Sequence, residues 1–174
     1  MYGPNEVTHV APEHFAAFGR VCHAFARVES IYEAAILTSL ELLPYQAAMT
    51  LSQYGYEPKR QLLFAIIEET DAPDALQKKF KSLIESIGKK SALRNNVAHC
   101  VWRKGSRDGA IKPYVIKTKS RLLLLGGDDD TERDWTAQEL HAEADEILER
   151  ASAFKAFLVD HGLFPAGNFH GLYE

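Results

Sequence analysis

Apolar residues recur every three or four positions from Pro12 onward. The spacing predicts a long first helix over about residues 12–42, with Phe15, Phe18, Cys22, Phe25, Val28, Ile31, Tyr32, Ala35 and Ile36 on its inner face. Pro12 followed by Glu13 suits a first helical turn, where a missing N–H costs little and a carboxylate faces the positive end of the helix dipole. Pro44 opens a second helix to about residue 54, ended by Gly55, and Pro58 fits the first turn of a third over about 58–69. Leu62, Leu63, Ala65, Ile66 and Ile67 form the apolar face of that third helix. Asp71 as a cap and Pro73 in the first turn start a fourth, lined by Leu76, Phe80, Leu83, Ile84 and Ile87. After Gly88 the period resumes with Leu93, Val97, Cys100 and Val101. The fourth helical stretch is therefore expected over about 72–102, bent at Gly88 or continued as a short helix directly after it.

Beyond Trp102 the period changes. Gly105 to Gly109 reads as a turn, while Tyr114-Val115-Ile116 and Leu122 to Leu125 read as two short strands joined by Lys117 to Ser120, a small hairpin at about 112–126. Thr136 begins a last helix that runs to about residue 160 and ends near Gly162. The tail over about 162–174 is expected to be irregular, with Phe164, Phe169 and Tyr173 suited to docking on the bundle. The pattern predicts a mainly α protein: an antiparallel helical bundle with a small β-hairpin inserted before the last long helix, in one domain over 1–174.

At 174 residues and 46% apolar content, such a chain can build a core without staples. Its two cysteines, Cys22 and Cys100, lie in apolar helical patterns and outside any CxxC or Cys/His cluster. They are expected to be buried thiols in a reducing compartment. The N-terminal residues lack the basic-then-apolar order of a secretory signal, and no apolar run approaches the roughly 20 residues that span a bilayer. A cytoplasmic address with no membrane partner is the expectation.

The net charge of -4 conceals an asymmetry. From Lys78 to Arg121 thirteen Lys/Arg face only two acids, Glu85 and Asp108, a net of +11; the other 130 residues hold seven basic and twenty-two acidic groups, a net of -15. Such separation marks either a surface that meets an anion or a solvated helix face beside a lysine-protected edge strand.

Several site types are absent from the sequence: there is no GxxxxGK[ST], no GxGxxG after a strand, no GxSxG and no HExxH. The single ExxH, Glu6 to His9, has no second copy, and the histidines at 14, 23, 141, 161 and 170 are scattered. A di-iron bundle needs more, so neither a metal nor any other cofactor is expected.

What stands out is Arg94-Asn95-Asn96-Val97-Ala98-His99. At about 100° per residue, Leu93, Val97, Cys100 and Val101 cluster on one side of a helical wheel, while Arg94, Asn95 and His99 fall on the polar side with small Ala98 between them and Trp102 one turn beyond. Cutting an RNA phosphodiester through its 2'-hydroxyl needs a group of near-neutral pKa to move a proton and a cation to hold charge on the phosphorus oxygens. Histidine and arginine suit those tasks. The plainer alternative is that Arg94 pairs with a helix carboxylate such as Glu29 or Glu33, Asn95 caps or bridges, and His99 is a surface histidine.

The string from Leu93 to Trp102 resembles the Arg-Asn-x-x-Ala-His signature of HEPN domains, a helical family in which the motif comes late in a bundle after an amphipathic helix, here Phe80 to Leu93. The resemblance covers residues 13 to 160 in helix order but only about ten in motif. It implies an HEPN-like homodimer with two motifs in one cleft, often a metal-independent endoribonuclease of toxin or defence type that leaves a 2',3'-cyclic phosphate and a 5'-hydroxyl. By position, Arg94 would hold the phosphate, Asn95 would take the polar place after it, and His99 would be the catalytic histidine. From the charge asymmetry, Lys89, Lys90, Arg103 and Lys104 are candidates to bind the RNA backbone. The partners expected are a second copy of the chain, RNA, and an antitoxin or other protein. Some family members bind without cutting, so a noncatalytic adaptor for a protein or nucleotide is the alternative.

Overall fold

The computed structural model describes residues 10–114, 117–119, 122–124 and 133–163. Among them the order of elements is α1 (Pro12–Ser39), α2 (Pro44–Leu51), α3 (Tyr56–Glu68), α4 (Asp74–Gly88), α5 (Ser91–His99), β1 (Val101–Lys104), β2 (Ala110–Tyr114), β3 (Lys117–Lys119), β4 (Leu122–Leu124), β5 (Trp135–Thr136) and α6 (Ala137–Asp160). The protein is mainly helical, as the periodicity predicts, with small antiparallel sheets. No helix among the described residues is long and apolar enough to cross a membrane.

The chain divides into two compact units: Met1–Ala24 with Lys90–Glu146, and Phe25–Lys89 with Ile147–Glu174. The second unit holds the larger apolar core, in which Phe25, Tyr32, Ile36, Leu63, Ile67, Ile84, Ile87, Phe154 and Leu158 are fully enclosed. Each such side chain contributes on the order of 1.5–3 kcal/mol through burial. Edge-on aromatic contacts organise it: Phe154 meets Tyr32 and Phe80, with ring centroids 5.7 and 5.4 Å apart, and Phe25 meets Tyr56 at 5.5 Å. Burial, first of all, pushes the phenols of Tyr32 and Tyr56 up.

In the first unit Ile111 and Leu140 are fully enclosed, and α1 contributes mostly small residues to the core. Along the start of α1 the buried positions are His14, Ala17, Val21 and Ala24, so the inner stripe is turned by one position from the one expected. Phe15 is 57% exposed and Cys22 is exposed, which corrects the expectation that both are buried; Cys100 is only half-buried. The physical reason is close packing. Alanine lets a neighbouring element approach the helix, and the larger residues flank the contact.

The single stretch expected over 72–102 is two helices and a strand. Helix α4 stops at Gly88, the residue with the least helix preference short of proline. After Lys89 and Lys90, α5 begins at Ser91, with the Lys90 carbonyl accepting from the Leu93 and Arg94 amides at 3.1 and 3.4 Å. Helix α5 ends at His99 because Cys100 is extended (φ -94°, ψ 148°), and Val101-Trp102 enter a sheet rather than another helical turn. β-Branched and aromatic residues favour that choice once a partner strand is present.

That partner is β2. The register pairs Val101 with Tyr114, Trp102 with Pro113, Arg103 with Lys112 and Lys104 with Ile111, and β5 pairs with the other edge of β2 through Ala110 and Ile111. The β5 pairing stops before Pro113, whose missing N–H therefore leaves no gap in that ladder. The turn from Gly105 to Gly109 is where the sequence places it. Asp134 holds it by accepting from the Ser106 amide (2.6 Å), the Ser106 hydroxyl (2.6 Å) and the Arg107 amide (3.0 Å). A Cβ on Gly105 would stand 2.8 Å from that pinned carboxylate, which accounts for glycine there.

The expected hairpin at 112–126 is displaced. Tyr114 closes β2, and the second antiparallel pair is Lys117–Lys119 with Leu122–Leu124, so the segment expected as a connection supplies a strand. Val115, Ile116 and the tail from Phe164 onward lie outside the described residues.

Candidate functional site

Helix α5 is a nine-residue helix with one fully buried side chain, Leu93. Its start is tied down by Lys90, whose half-buried ammonium donates to Glu143 (2.6 Å) and Glu146 (2.5 Å) on α6. Burial pushes this ammonium down, but the hydrogen bonds from the two carboxylates outweigh burial and hold its pKa above the ordinary lysine value. The end of the helix is closed by the Cys100 amide donating to the Asn96 carbonyl at 3.0 Å, and the Cys100 thiol points at Asn96 Oδ1 at 3.6 Å.

The motif residues are distributed on α5 according to their exposure. Arg94 is half-buried, and its Nη1 donates to Asn95 Oδ1 at 3.3 Å; Asn95, Ala98 and His99 are exposed. The His99 ring makes no hydrogen bond or ion pair among the described residues. Asn96 is half-buried and so is Val97. A cation, an amide and a solvent-facing imidazole thus lie within six residues of one short helix.

Other predicted residues separate. Trp102 is not on the motif helix: it sits in β1 with its ring 4.8 Å from Phe18 of α1. Val101, placed by the wheel on the apolar side, is 73% exposed. Arg103 and Lys104 project from opposite faces of β1, as neighbours in a strand must. Lys90 is engaged by two carboxylates, and exposed Lys89 belongs to the second unit. Of the four candidate backbone-binding cations, Arg103 and Lys104 share a unit with the motif and form no ion pair among the described residues.

The structure adds two residues that the sequence pattern did not single out. Tyr114 lies under the Arg103 guanidinium, 5.5 Å from ring centroid to Cζ, and Lys112 is the cross-strand partner of Arg103. Their signal was the alternation Ile111-Lys112-Pro113-Tyr114, with the apolar pair buried and the other pair half-buried. Among the described residues no group of three or more His, Cys, Asp or Glu side chains is placed to hold a metal ion. Comparison with protein-family models, curated proteins and solved structures gives no match for this chain.

Proposed function

We propose that the protein is an HEPN-like homodimeric RNA-binding protein that acts as a metal-independent endoribonuclease of toxin or defence type. The observation that carries this reading is α5, on which the resemblance to the Arg-Asn-x-x-Ala-His signature coincides with an exposed His99 imidazole and an Arg94 steadied by Asn95. A solvent-facing imidazole can take the 2'-hydroxyl proton or return one to the leaving oxygen. The guanidinium offers two-point contact to a phosphate.

Helix geometry favours two copies over one. Five residues advance about 7.5 Å along a helix and turn through about 140°, so the Arg94 and His99 side chains of one copy diverge. Two α5 helices facing each other would bring the His99 of one protomer toward the Arg94 of its partner, and a single phosphate would then meet both groups. Lys89, Lys90, Arg103 and Lys104 remain the candidates for holding the strand, with Lys90 the weakest because two carboxylates already neutralise it. An antitoxin or other protein would act by covering α5.

The test is incubation of the purified protein with mixed RNA in EDTA. The wild type is expected to cut and leave 2',3'-cyclic phosphate ends. His99→Ala should lose at least about a hundredfold in rate, the usual contribution of a general acid or base, while keeping its melting temperature. RNA left intact by a folded dimer of the wild type would replace the nuclease reading with that of a noncatalytic adaptor. Cleavage that survives His99→Ala would remove the motif from the chemistry.

A further inference from the structure

From Leu42 to Tyr56 fifteen consecutive residues carry no charge, in a chain of which 25% is charged. The stretch forms α2 and the turns on either side of it, in the second unit. On α2 only Ala47 and Leu51 are buried, and at about 100° per residue Tyr45 and Met49 fall on the opposite side of the helix, one turn apart. Tyr45 is 60% exposed and Met49 71%. Leu43 just before the helix, Tyr54 just after it and Leu40 just after α1 are exposed as well. Five of the eight large apolar side chains left in solvent among the described residues thus belong to this one strip.

Two further features mark the strip as a surface suited to losing its water. Two of its polar side chains are already bonded within it: Gln46 Oε1 accepts from the Leu43 amide at 2.9 Å, and the Thr50 hydroxyl donates to the Gln46 carbonyl at 2.7 Å. Covering such groups costs less than covering unpaired ones. The second feature is area. At about 200 Å² for a fully exposed large side chain, the five hold roughly 500 Å², the upper range of what a monomer leaves as one apolar patch. With Pro44, Ala48 and Gln53, which are exposed between them, the strip approaches the about 800 Å² per partner of a standard protein interface.

We infer that α2 and its flanking turns bind the same surface of a second copy of the chain, with Tyr45 and Met49 at the centre. The absence of charge selects that occupant. In a twofold contact each residue meets its own copy or a near neighbour of it, so a charge there would face its like, and this strip has none. Tyrosine and methionine are the side chains enriched in such contacts. An anionic lipid surface would call for lysine or arginine beside the apolar residues, whereas the charges that bound the strip are Glu41 and Glu57. RNA would find no cation on it. A different protein is ordinarily steered and selected by complementary charges, which the strip does not offer. The inference goes beyond the RNA reading above and does not rest on it.

The experiment is analytical ultracentrifugation of the full chain over a concentration series. The wild type is expected at the mass of two chains, or a multiple of it, and Met49→Glu and Tyr45→Glu at half the wild-type mass. Each change enters a twofold contact twice, so each should raise the dissociation constant about a hundredfold or more. Met49→Leu, which keeps volume and apolar character, should stay assembled. So should Phe15→Glu, a change at an exposed apolar position of the other unit. Circular dichroism checks the fold; were Tyr45→Glu to unfold, Met49→Glu decides. Two results overturn the inference: a wild type that stays monomeric at every concentration, and an assembly whose mass neither glutamate variant changes. Flotation of the monomer with phosphatidylglycerol vesicles would then assign the strip to a lipid surface. RNA left intact by an assembly that Met49→Glu halves defeats the nuclease alone. Cleavage by a wild type whose assembly Met49→Glu does not alter defeats this contact alone.

Discussion

Lys59 is 3% exposed, yet it carries a charge inside the second unit, where its ammonium donates to Glu33 at 2.5 Å and Glu29 at 3.2 Å. Both carboxylates lie on α1, four residues apart, so without the lysine they would face each other as like charges. Removing one partner of a buried pair costs about 3–5 kcal/mol, and the low end applies here because each glutamate keeps some access to water. Lys59→Ala is expected to lose about 3 kcal/mol in chemical denaturation, against less than about 1 kcal/mol for Lys81→Ala, whose bridge to Glu68 is at the surface. Equal losses in the two variants would show that the cluster is incidental. The buried role of Lys59 was not legible from residue types alone. A lysine on an amphipathic helix is ordinarily solvated, and only the spacing of Glu29 and Glu33 on another helix makes it a core residue. By contrast the motif on α5 was legible because its chemistry is local in sequence, six consecutive residues that one helix presents together.

At the scale of elements, the start of α6 shows what a sequence can specify without help. Thr136 and Glu139 form a reciprocal cap: the Glu139 amide donates to Thr136 Oγ1 at 3.2 Å and the Thr136 amide donates to Glu139 Oε2 at 2.8 Å. Arg107, on the β1–β2 turn, adds two hydrogen bonds to the same carboxylate at 2.7 and 3.1 Å. The Arg107 hydrogen bonds first, and then the Thr136 amide, hold the Glu139 carboxyl down at about 2. Asp134 is lowered as well, chiefly by the Ser106 hydroxyl. A carboxyl depressed in the folded state stabilises it fully above its unfolded value, and that stability is lost as pH falls through the folded value. Wild-type stability should therefore fall as pH is lowered from about 4.5 to about 2, and Glu139→Gln should flatten much of that slope while costing about 1 kcal/mol at neutral pH. Urea titrations at several pH values would measure it, and an unchanged slope would mean that the cap does not report on folding. The start of this helix was readable in advance because it depends on near neighbours, and the cap that the structure adds there is equally local. The break after Gly88 was open in the sequence, as a bend or as a short helix directly after it, and the structure takes the second; the strand at Val101 was not foreseen, since Leu93, Val97, Cys100 and Val101 satisfy helical spacing and only pairing with β2, nine or more residues away, selects the strand.

For the whole molecule, the charge asymmetry is the feature that the fold most changes in meaning. Read along the chain, the stretch from Lys78 to Arg121 is a block of thirteen cations. In the folded protein part of that charge is answered nearby: Lys81 by Glu68, Lys90 by Glu143 and Glu146, and Arg107 by Glu139. The acidic part of the chain is thus the counterpart of the basic part as well as its contrast. Salt dependence discriminates between a wide electrostatic surface and a few defined contacts. For a single strand the slope of log affinity against log salt is about -0.7 per phosphate neutralised, so thirteen engaged cations would give about -9 and Arg103 with Lys104 about -1.4. A slope between about -1 and -2 is expected for a short single-stranded RNA, with Lys104→Gln reducing it by about 0.7. A steep slope unaffected by that substitution would place binding on a diffuse basic surface and remove Lys104 from RNA contact. A shallow one that falls with Lys104→Gln would mean that a few phosphate contacts suffice to position a strand for whatever His99 does to it.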